Sequence, residues 1–104
     1  MNSDPKQKTA DLLSICFKAG KAVKGFDSAA DAVKNGNAFC VLLASDASAK
    51  TAKEADFICG KYSVPVIRTG LAKADIAKLC RKETAVIAVC DKGFADRFAV
   101  IVSE

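Results

Sequence analysis

Residues 39–44 read FCVLLA, a run of apolar side chains with no polar residue between them. A continuous apolar run of this length is typical of a β-strand that is covered on both faces, because a strand with one wet face alternates polar and apolar residues. Residues 84–90, TAVIAVC, show nearly the same pattern. The two runs therefore predict buried strands of a sheet that has helices on both faces.

Helical patterns alternate with these strands along the chain. The predicted helices cover about residues 5–20, 27–35, 46–62 and 71–82, with a fifth helix from residue 91 onward. Weaker strand patterns cover residues 22–24 and 64–68. This order predicts the α/β class, as a three-layer α/β/α sandwich around a small four-stranded sheet, in a single domain over residues 1–104.

Side chains that can cap helices accompany several of the predicted starts. For the second helix the sequence allows two caps, either Asp27 alone or Ser28 paired with Asp31 in a capping box. Ser45 and Asp46 are expected to cap the third helix, and Asp91 the fifth. On the third helix, helical spacing predicts that Tyr62 faces inward along with the apolar residues before it.

The residue types that are absent limit the chemistry. The chain has no histidine, which removes the commonest general base and the usual zinc ligand. Its five cysteines form no CxxC pair, and most lie beside bulky apolar residues, so buried and reduced thiols are predicted. A metal site or a catalytic thiol is the alternative, for which Cys90 at a strand end is the best candidate. We expect no metal and no cofactor.

An enzymatic function would have to rest on carboxylates. The sequence contains neither GxGxxG after a strand nor GxxxxGK[ST]. Asp46 and Asp91 each follow an apolar strand, a position where α/β sheets often bind ligands. Helix capping is the simpler explanation of both residues, so the sequence predicts a protein that is not an enzyme and has no catalytic residues.

A basic, glycine-containing turn precedes the second helix, in residues 20–36, GKAVKGFDSAADAVKNG. Lys21 and Lys24 lie in it, and Lys34 follows on the helix. Gly25 allows close approach to a phosphate, the helix N-terminus favours anions, and Phe26 could stack on a base. An ordinary basic helix end with Phe26 packed beneath the helix explains the residues equally well. A protein-interaction module is a third alternative.

The sequence shows no signal peptide and no apolar run long enough to span a bilayer. Its formal net charge of +4 permits an anionic partner without requiring one. We therefore expect a cytoplasmic monomer with no membrane partner.

The order of motifs resembles the ribosomal protein L-seven-Ae family, the kink-turn RNA-binding superfamily, and within it the bacterial YlxQ-like members. The similarity covers nearly the whole chain. The matching segments are residues 12–21 ending in KAGK, the turn at 24–25, AVKNG at 32–36, VLLASDAS at 41–48, VPVI at 64–67, AVIAV at 85–89 and DKGFA at 91–95.

This resemblance implies an α/β/α sandwich around a small mixed sheet and a non-enzymatic RNA-binding protein associated with ribosomes or translation. It implies structured, kink-turn-like RNA, ribosomal or messenger, as the partner. Family members read the RNA with a Gly-Thr-Asn-Glu-x-x-Lys turn at the second helix, and an apolar loop before the last strand touches a flipped-out nucleotide. The first element falls here on residues 25–31, directly after Lys24, and its candidate RNA-binding residues are Gly25, Phe26, Asp27, Ser28 and Asp31. The second falls near residues 83–86, with Thr84, Ala85 and Val86 as candidates.

The chain departs from the family turn at the side chains that read bases. Phe26, Asp27 and Ser28 stand where the family has Thr, Asn and Glu, and Asp31 stands in place of its Lys. Since a carboxylate cannot donate a hydrogen bond to a guanine, we expect binding through backbone amides, Lys21 and Lys24, with Phe26 against a base or ribose and with little base reading. A protein adaptor on the same fold, without specific RNA recognition, is the alternative.

Overall fold

Five helices alternate with four strands in the computed structural model, which describes residues 4–103. The helices are α1 (Pro5–Lys18), α2 (Phe26–Lys34), α3 (Ala49–Lys61), α4 (Lys73–Cys80) and α5 (Lys92–Val102). The strands are β1 (Ala22–Lys24), β2 (Cys40–Leu43), β3 (Val66–Arg68) and β4 (Val86–Val89). The predicted domain boundaries, residues 1 and 104, lie outside the described residues.

The four strands form one mixed sheet in the order β1-β4-β2-β3. β4 runs antiparallel to both β1 and β2, whereas β2 and β3 are parallel. Every residue of β2 and β4 is at most 2% exposed. The prediction that the two apolar runs are strands covered on both faces is therefore confirmed.

Helices cover both faces of the sheet. α1, α4 and α5 pack on one face, in a core that includes Leu13, Ile87 and Phe98. α2 and α3 pack on the other face, in a second core that includes Val33 and Cys59. The α/β fold class, with three layers around a small mixed sheet, agrees with the prediction.

The antiparallel pairing of β1 and β4 creates two distinct ends of the sheet. At one end the Gly25 N–H donates to the Val86 carbonyl at 2.9 Å, which joins the β1–α2 turn to the start of β4. We call this end the turn edge. At the other end, the far edge, the Cys90 N–H donates to the Lys21 carbonyl at 2.8 Å.

The predicted caps of α2 are wrong. α2 begins at Phe26, with Gly25 as its N-cap, and no side chain among the described residues caps it. The reason is the backbone of Gly25, whose φ of +97° turns the chain into the helix before Asp27 or Ser28 is reached. The Ser28–Asp31 capping box does not form, and both residues lie exposed on the first turns.

The cap predicted for α3 is wrong, and the cap predicted for α5 is confirmed. Ser48, not Asp46, caps α3 by accepting a hydrogen bond from the Thr51 N–H at 3.1 Å. Asp46 instead accepts from the Lys73 N–H at 2.8 Å, because the β2–α3 turn lies beside the start of α4. Asp91 caps α5 as predicted.

The inward orientation predicted for Tyr62 is wrong. Tyr62 is the C-cap of α3 and is 42% exposed. The helical periodicity does not extend to this residue, since its φ of −107° departs from the helical value.

Replacing Gly25 by alanine tests the backbone conformation of the β1–α2 turn. An alanine Cβ would meet no heavy atom within 4 Å, so any cost comes from the positive φ alone. We expect the free energy of unfolding to fall by about 1–3 kcal/mol, measured by urea denaturation. Gly60→Ala is the matched control: Gly60 lies exposed within α3, and its substitution should raise stability by about 0.5–1 kcal/mol. Equal stability of the two variants would contradict this account of the turn.

Candidate nucleic-acid interface

The first turn of α2 presents open backbone donors at the turn edge. In α1, α3 and α5 a side-chain oxygen of the N-cap residue accepts a hydrogen bond from a first-turn N–H. In α2 the N-cap is Gly25, which has no side chain, and no other described side chain takes that place. Together with the positive end of the helix dipole, these N–H groups can bind an anion such as a phosphate oxygen.

Lys24 lies beside this turn, at the end of β1. Its exposed side chain crosses to α4, where Nζ donates to the Cys80 carbonyl at 3.1 Å. This hydrogen bond holds the ammonium group between the turn and the C-terminal end of α4. Lys24 therefore connects the β1–α2 turn to the end of α4, shortly before the predicted second element at residues 84–86.

The α4–β4 loop contributes two cations that sequence reasoning missed. Arg81 and Lys82 are exposed and follow directly on Cys80, the residue that binds Lys24. The sequence pattern places them in the last turn of a helix, but Arg81 has a φ of +62° and ends α4. The two adjacent basic residues in the sequence were the signal that could have identified this cluster. Lys24, Arg81 and Lys82 bring three positive charges to the turn edge.

Carboxylates balance these cations. Asp27 and Asp31 are exposed one helical turn apart on α2, and Glu83 is exposed in the α4–β4 loop. Net charge therefore does not draw an anion to this edge, and the open amides and the position of each cation decide what binds. Ser28 is exposed between the two aspartates. Lys34 is exposed at the opposite end of α2 and does not join this cluster.

Phe26, the first residue of α2, is only partly exposed. It packs against the core beneath α2 and α3, beside Ala29, Val33 and Ile58. Much of the Phe26 ring is therefore packed beneath the helix, as the alternative to base stacking expects. Its remaining exposed surface faces the groove between the two helices.

Lys21 lies at the far edge, away from Lys24. Its carbonyl accepts from the Cys90 N–H, whereas Gly25 pairs with Val86 at the other end of β4. Because an extended chain rises by about 3.3 Å per residue, the Cα atoms of Lys21 and Lys24 are roughly 10 Å apart. The structure does not bring the two lysines to one binding position.

The predicted second element is joined to the turn but is mostly buried. Thr84 is 7% exposed, and its hydroxyl donates to the Val86 carbonyl at 3.1 Å. Val86 is 2% exposed and belongs to the core, so its side chain cannot reach a ligand on the surface. Ala85 is partly exposed, and its carbonyl accepts from the Ala44 N–H.

The two carboxylates of the enzymatic alternative do not converge. Asp46 follows β2 and Asp91 follows β4, and these strands are antiparallel. Their carboxyl ends therefore lie at opposite edges of the sheet. Each aspartate also accepts a hydrogen bond from a helix N-terminus, so neither is free for a shared site.

The prediction of buried thiols is confirmed for three of the five cysteines and is wrong for the other two, which lie at the ends of α4 and β4. Cys16, Cys40 and Cys59 are buried, and Cys80 and Cys90 are partly exposed. Burial raises the pKa of Cys16 to about 11 and that of Cys40 to about 12. Burial also raises the pKa of Cys90, although the nearby Lys21 ammonium opposes the rise. Reactive cysteines typically have a lowered pKa, which is opposite to the shift at Cys90.

Metal-binding clusters and membrane-spanning helices are the remaining kinds of functional feature. No cluster of three or more cysteine, aspartate or glutamate side chains in residues 4–103 is arranged to hold a metal ion. None of the helices in that range is both long and apolar enough to cross a membrane.

Sequence comparison with known proteins identifies one family and two relatives that share a name. The profile of the family described as "Ribosomal protein L7Ae/L30e/S12e/Gadd45 family" matches residues 7–98. A protein named RNA-binding protein YlxQ from Enterococcus faecium is 30% identical over 97 residues, which is 93% of each chain. A protein of the same name from Bacillus subtilis (strain 168) is 37% identical over 87 residues, or 83% of this chain and 86% of that protein.

Solved structures show the same fold. A protein of unknown function from Bacillus halodurans C superposes with a TM-score of 0.87 at 33% identity, over 93% of this chain and 98% of that one. The Giardia lamblia 15.5kD RNA binding protein superposes with a TM-score of 0.78 over 99% of this chain and 88% of that one. Its 20% identity supports the fold alone. On the family profile and the two sequence relatives, this chain belongs to the ribosomal protein L7Ae/L30e/S12e/Gadd45 family and is similar to its YlxQ members.

Proposed function

We propose that this chain is a non-enzymatic protein that binds structured RNA at the turn edge. The binding surface, which we call the turn surface, consists of residues 24–28 and 81–85. Family membership and the names of the two sequence relatives support RNA as the partner. The observation that carries the location is the uncapped first turn of α2, joined by the Gly25–Val86 hydrogen bond to a loop with two cations.

Within this surface the backbone and the cations have different roles. The open N–H groups at the start of α2 bind a phosphate or a base oxygen, and Lys24, Arg81 and Lys82 contact flanking phosphates. Asp27 and Asp31 repel phosphate on one side and restrict how the RNA can approach. Binding of this kind selects RNA shape more than base identity, because phosphate contacts position a nucleic acid without reading its sequence.

The proposal extends to the partner and its setting. Kink-turn-like RNA within ribosomal or messenger RNA is the expected ligand, bound by a monomer in the cytoplasm during translation. The family's description as ribosomal proteins supports this extension. Cosedimentation with ribosomal particles measures the association, and light scattering after size exclusion measures the oligomeric state.

Neutralising the three cations of the turn edge tests the proposed location. The variant Lys24→Gln/Arg81→Gln/Lys82→Gln is expected to bind a kinked RNA at least roughly tenfold more weakly in fluorescence anisotropy at low salt. The slope of log K against log salt concentration should shrink by about 0.7–0.9 for each phosphate that the variant no longer neutralises. From the sequence alone, this loss of affinity is expected on replacing Lys21 and Lys24. We propose that it results instead from replacing Lys24 together with the two cations of the α4–β4 loop.

A matched control separates position from total charge. Lys18→Gln/Lys21→Gln/Lys92→Gln removes three charges at the far edge, where the ends of α1 and β4 and the start of α5 meet. Both variants lower the formal net charge from +4 by three, to +1. Equal losses of affinity would mean that binding follows net charge alone, and the turn surface would then be rejected as the binding site. No RNA binding by the unmodified chain would leave the protein-adaptor alternative.

A further inference from the structure

The groove between α2 and α3 is an open, aromatic concave surface that shares Phe26 with the turn surface and otherwise lies outside it. It has a volume of about 450 Å³ and is lined on its apolar side by Phe26, Phe57, Ile58 and Tyr62. Phe57 is 72% exposed and Tyr62 is 42% exposed. Single exposed apolar side chains are common on protein surfaces, but here two exposed rings line the same groove.

Lysines surround this aromatic surface. Lys53, Phe57 and Lys61 follow one another at four-residue intervals on α3, so a cation flanks the phenyl ring on each side along the helix. Lys34 faces them from the end of α2, and Glu54 is the one carboxylate among the described residues that line the groove. The Lys61 ammonium lies 5.8 Å from the centre of the Tyr62 ring, within the range of a cation–π interaction.

This chemistry favours one kind of partner. Three lysines against one glutamate give a local excess of two positive charges, which complements an anionic chain. Aromatic faces flanked by cations suit single-stranded RNA, whose bases stack on rings while its phosphates pair with lysines. A volume of about 450 Å³ falls within the range of small-ligand sites, about 300–1,000 Å³, and can hold a base with its ribose.

The groove is continuous with the turn surface. Phe26 lines it and is also the first residue of α2, next to Gly25 at the turn edge. We propose that the α2/α3 groove binds a single-stranded RNA segment that flanks the structured RNA, with its bases on Phe57 and Tyr62 and its phosphates on Lys53 and Lys61. This inference rests on the proposed function and adds a second contact site to it.

The test compares two RNAs that share one kinked core. One RNA ends bluntly beside the core, and the other continues there as a short single-stranded uridine tail. Fluorescence anisotropy should show that the tail strengthens binding by the unmodified protein. Phe57→Ala should weaken binding of the tailed RNA by roughly tenfold and leave the blunt RNA unaffected, as expected when one stacked base loses its ring.

Two controls distinguish stacking in the groove from a general effect of losing an exposed ring and from attraction between charges. Phe39→Ala removes another exposed ring, 45% exposed and not part of the groove lining, and should change neither affinity. Polyglutamate is added as a competitor that carries negative charges but has no nucleobases. Displacement of the tail by polyglutamate, with no effect of Phe57→Ala, would overturn the proposal and favour an acidic protein segment in the groove.

The outcomes also distinguish this proposal from the proposed function. A tail that adds no affinity, while the blunt RNA still binds, overturns the groove proposal alone. If the unmodified protein does not bind the blunt RNA, the proposed function fails, and free oligouridine then decides the groove. Binding of oligouridine that Phe57→Ala abolishes would support the groove by itself, and no binding would overturn it.

Discussion

Restoring two of the family's base-reading side chains on α2 is expected to raise the affinity for a kink-turn RNA by at least roughly tenfold, since each good side-chain contact to a base edge contributes about 1–3 kcal/mol. The variant is Asp27→Asn/Asp31→Lys. Both positions are exposed on the first turns of α2, and Asp27 and Asp31 lie one turn apart. The asparagine regains an amide donor, and the lysine can donate to a guanine while removing a carboxylate that repels phosphate.

The measurement compares a kink-turn RNA with an unkinked duplex of the same length at two salt concentrations. The restored variant should prefer the kinked RNA, and the preference should persist at the higher salt. Asp11→Lys/Asp96→Asn is the control, because it too raises the formal net charge by three, two for the aspartate that becomes lysine and one for the aspartate that becomes asparagine, at exposed positions on α1 and α5. If both variants gain affinity equally for both RNAs, the gain reflects charge alone, and the first turn of α2 is not the base-reading element.

Replacing Phe98 by alanine is expected to lower the free energy of unfolding by about 3–5 kcal/mol. Phe98 lies on α5 and is fully buried between that helix and the sheet, among Leu13 and Ile87. Removing the ring leaves a cavity that rigid sheet neighbours fill only partly. Such a loss is a large part of the roughly 5–15 kcal/mol that stabilises a domain of this size.

Urea denaturation followed by circular dichroism measures the effect. Phe57→Ala provides the control, since its ring is 72% exposed and its loss should change stability by less than about 0.5 kcal/mol. The same control shows that the groove variant is folded. A Phe98→Ala protein as stable as Phe57→Ala would mean that α5 does not pack on the sheet as described.

The sequence predicted the sheet well because the signal for its centre is local and strong. Burial on both faces excludes polar side chains from β2 and β4, and their apolar runs therefore identify them directly. The helix caps were predicted less well because capping depends on where the backbone turns. Gly25 turns the chain before the predicted caps of α2, and Asp46 binds a helix 27 residues further along the chain.

The candidate site was only partly predictable for a related reason. Lys21 and Lys24 are close in sequence but lie at opposite ends of an extended strand. Arg81 and Lys82 are far from Gly25 in sequence and reach it only because β4 pairs with β1. Sequence spacing on a helix indicates which side chains are neighbours, whereas strand pairing between distant segments does not show in local spacing.

An NMR titration of the isotopically labelled protein with a kinked RNA locates the binding surface residue by residue. The largest backbone amide shifts are expected in residues 24–28 and 81–85, since these residues form the turn surface. Among them, the amides at the start of α2 should show the largest shifts, because no described side chain caps them. Shifts that instead cluster on the exposed faces of α1 and α5, with the turn surface unchanged, would contradict the account.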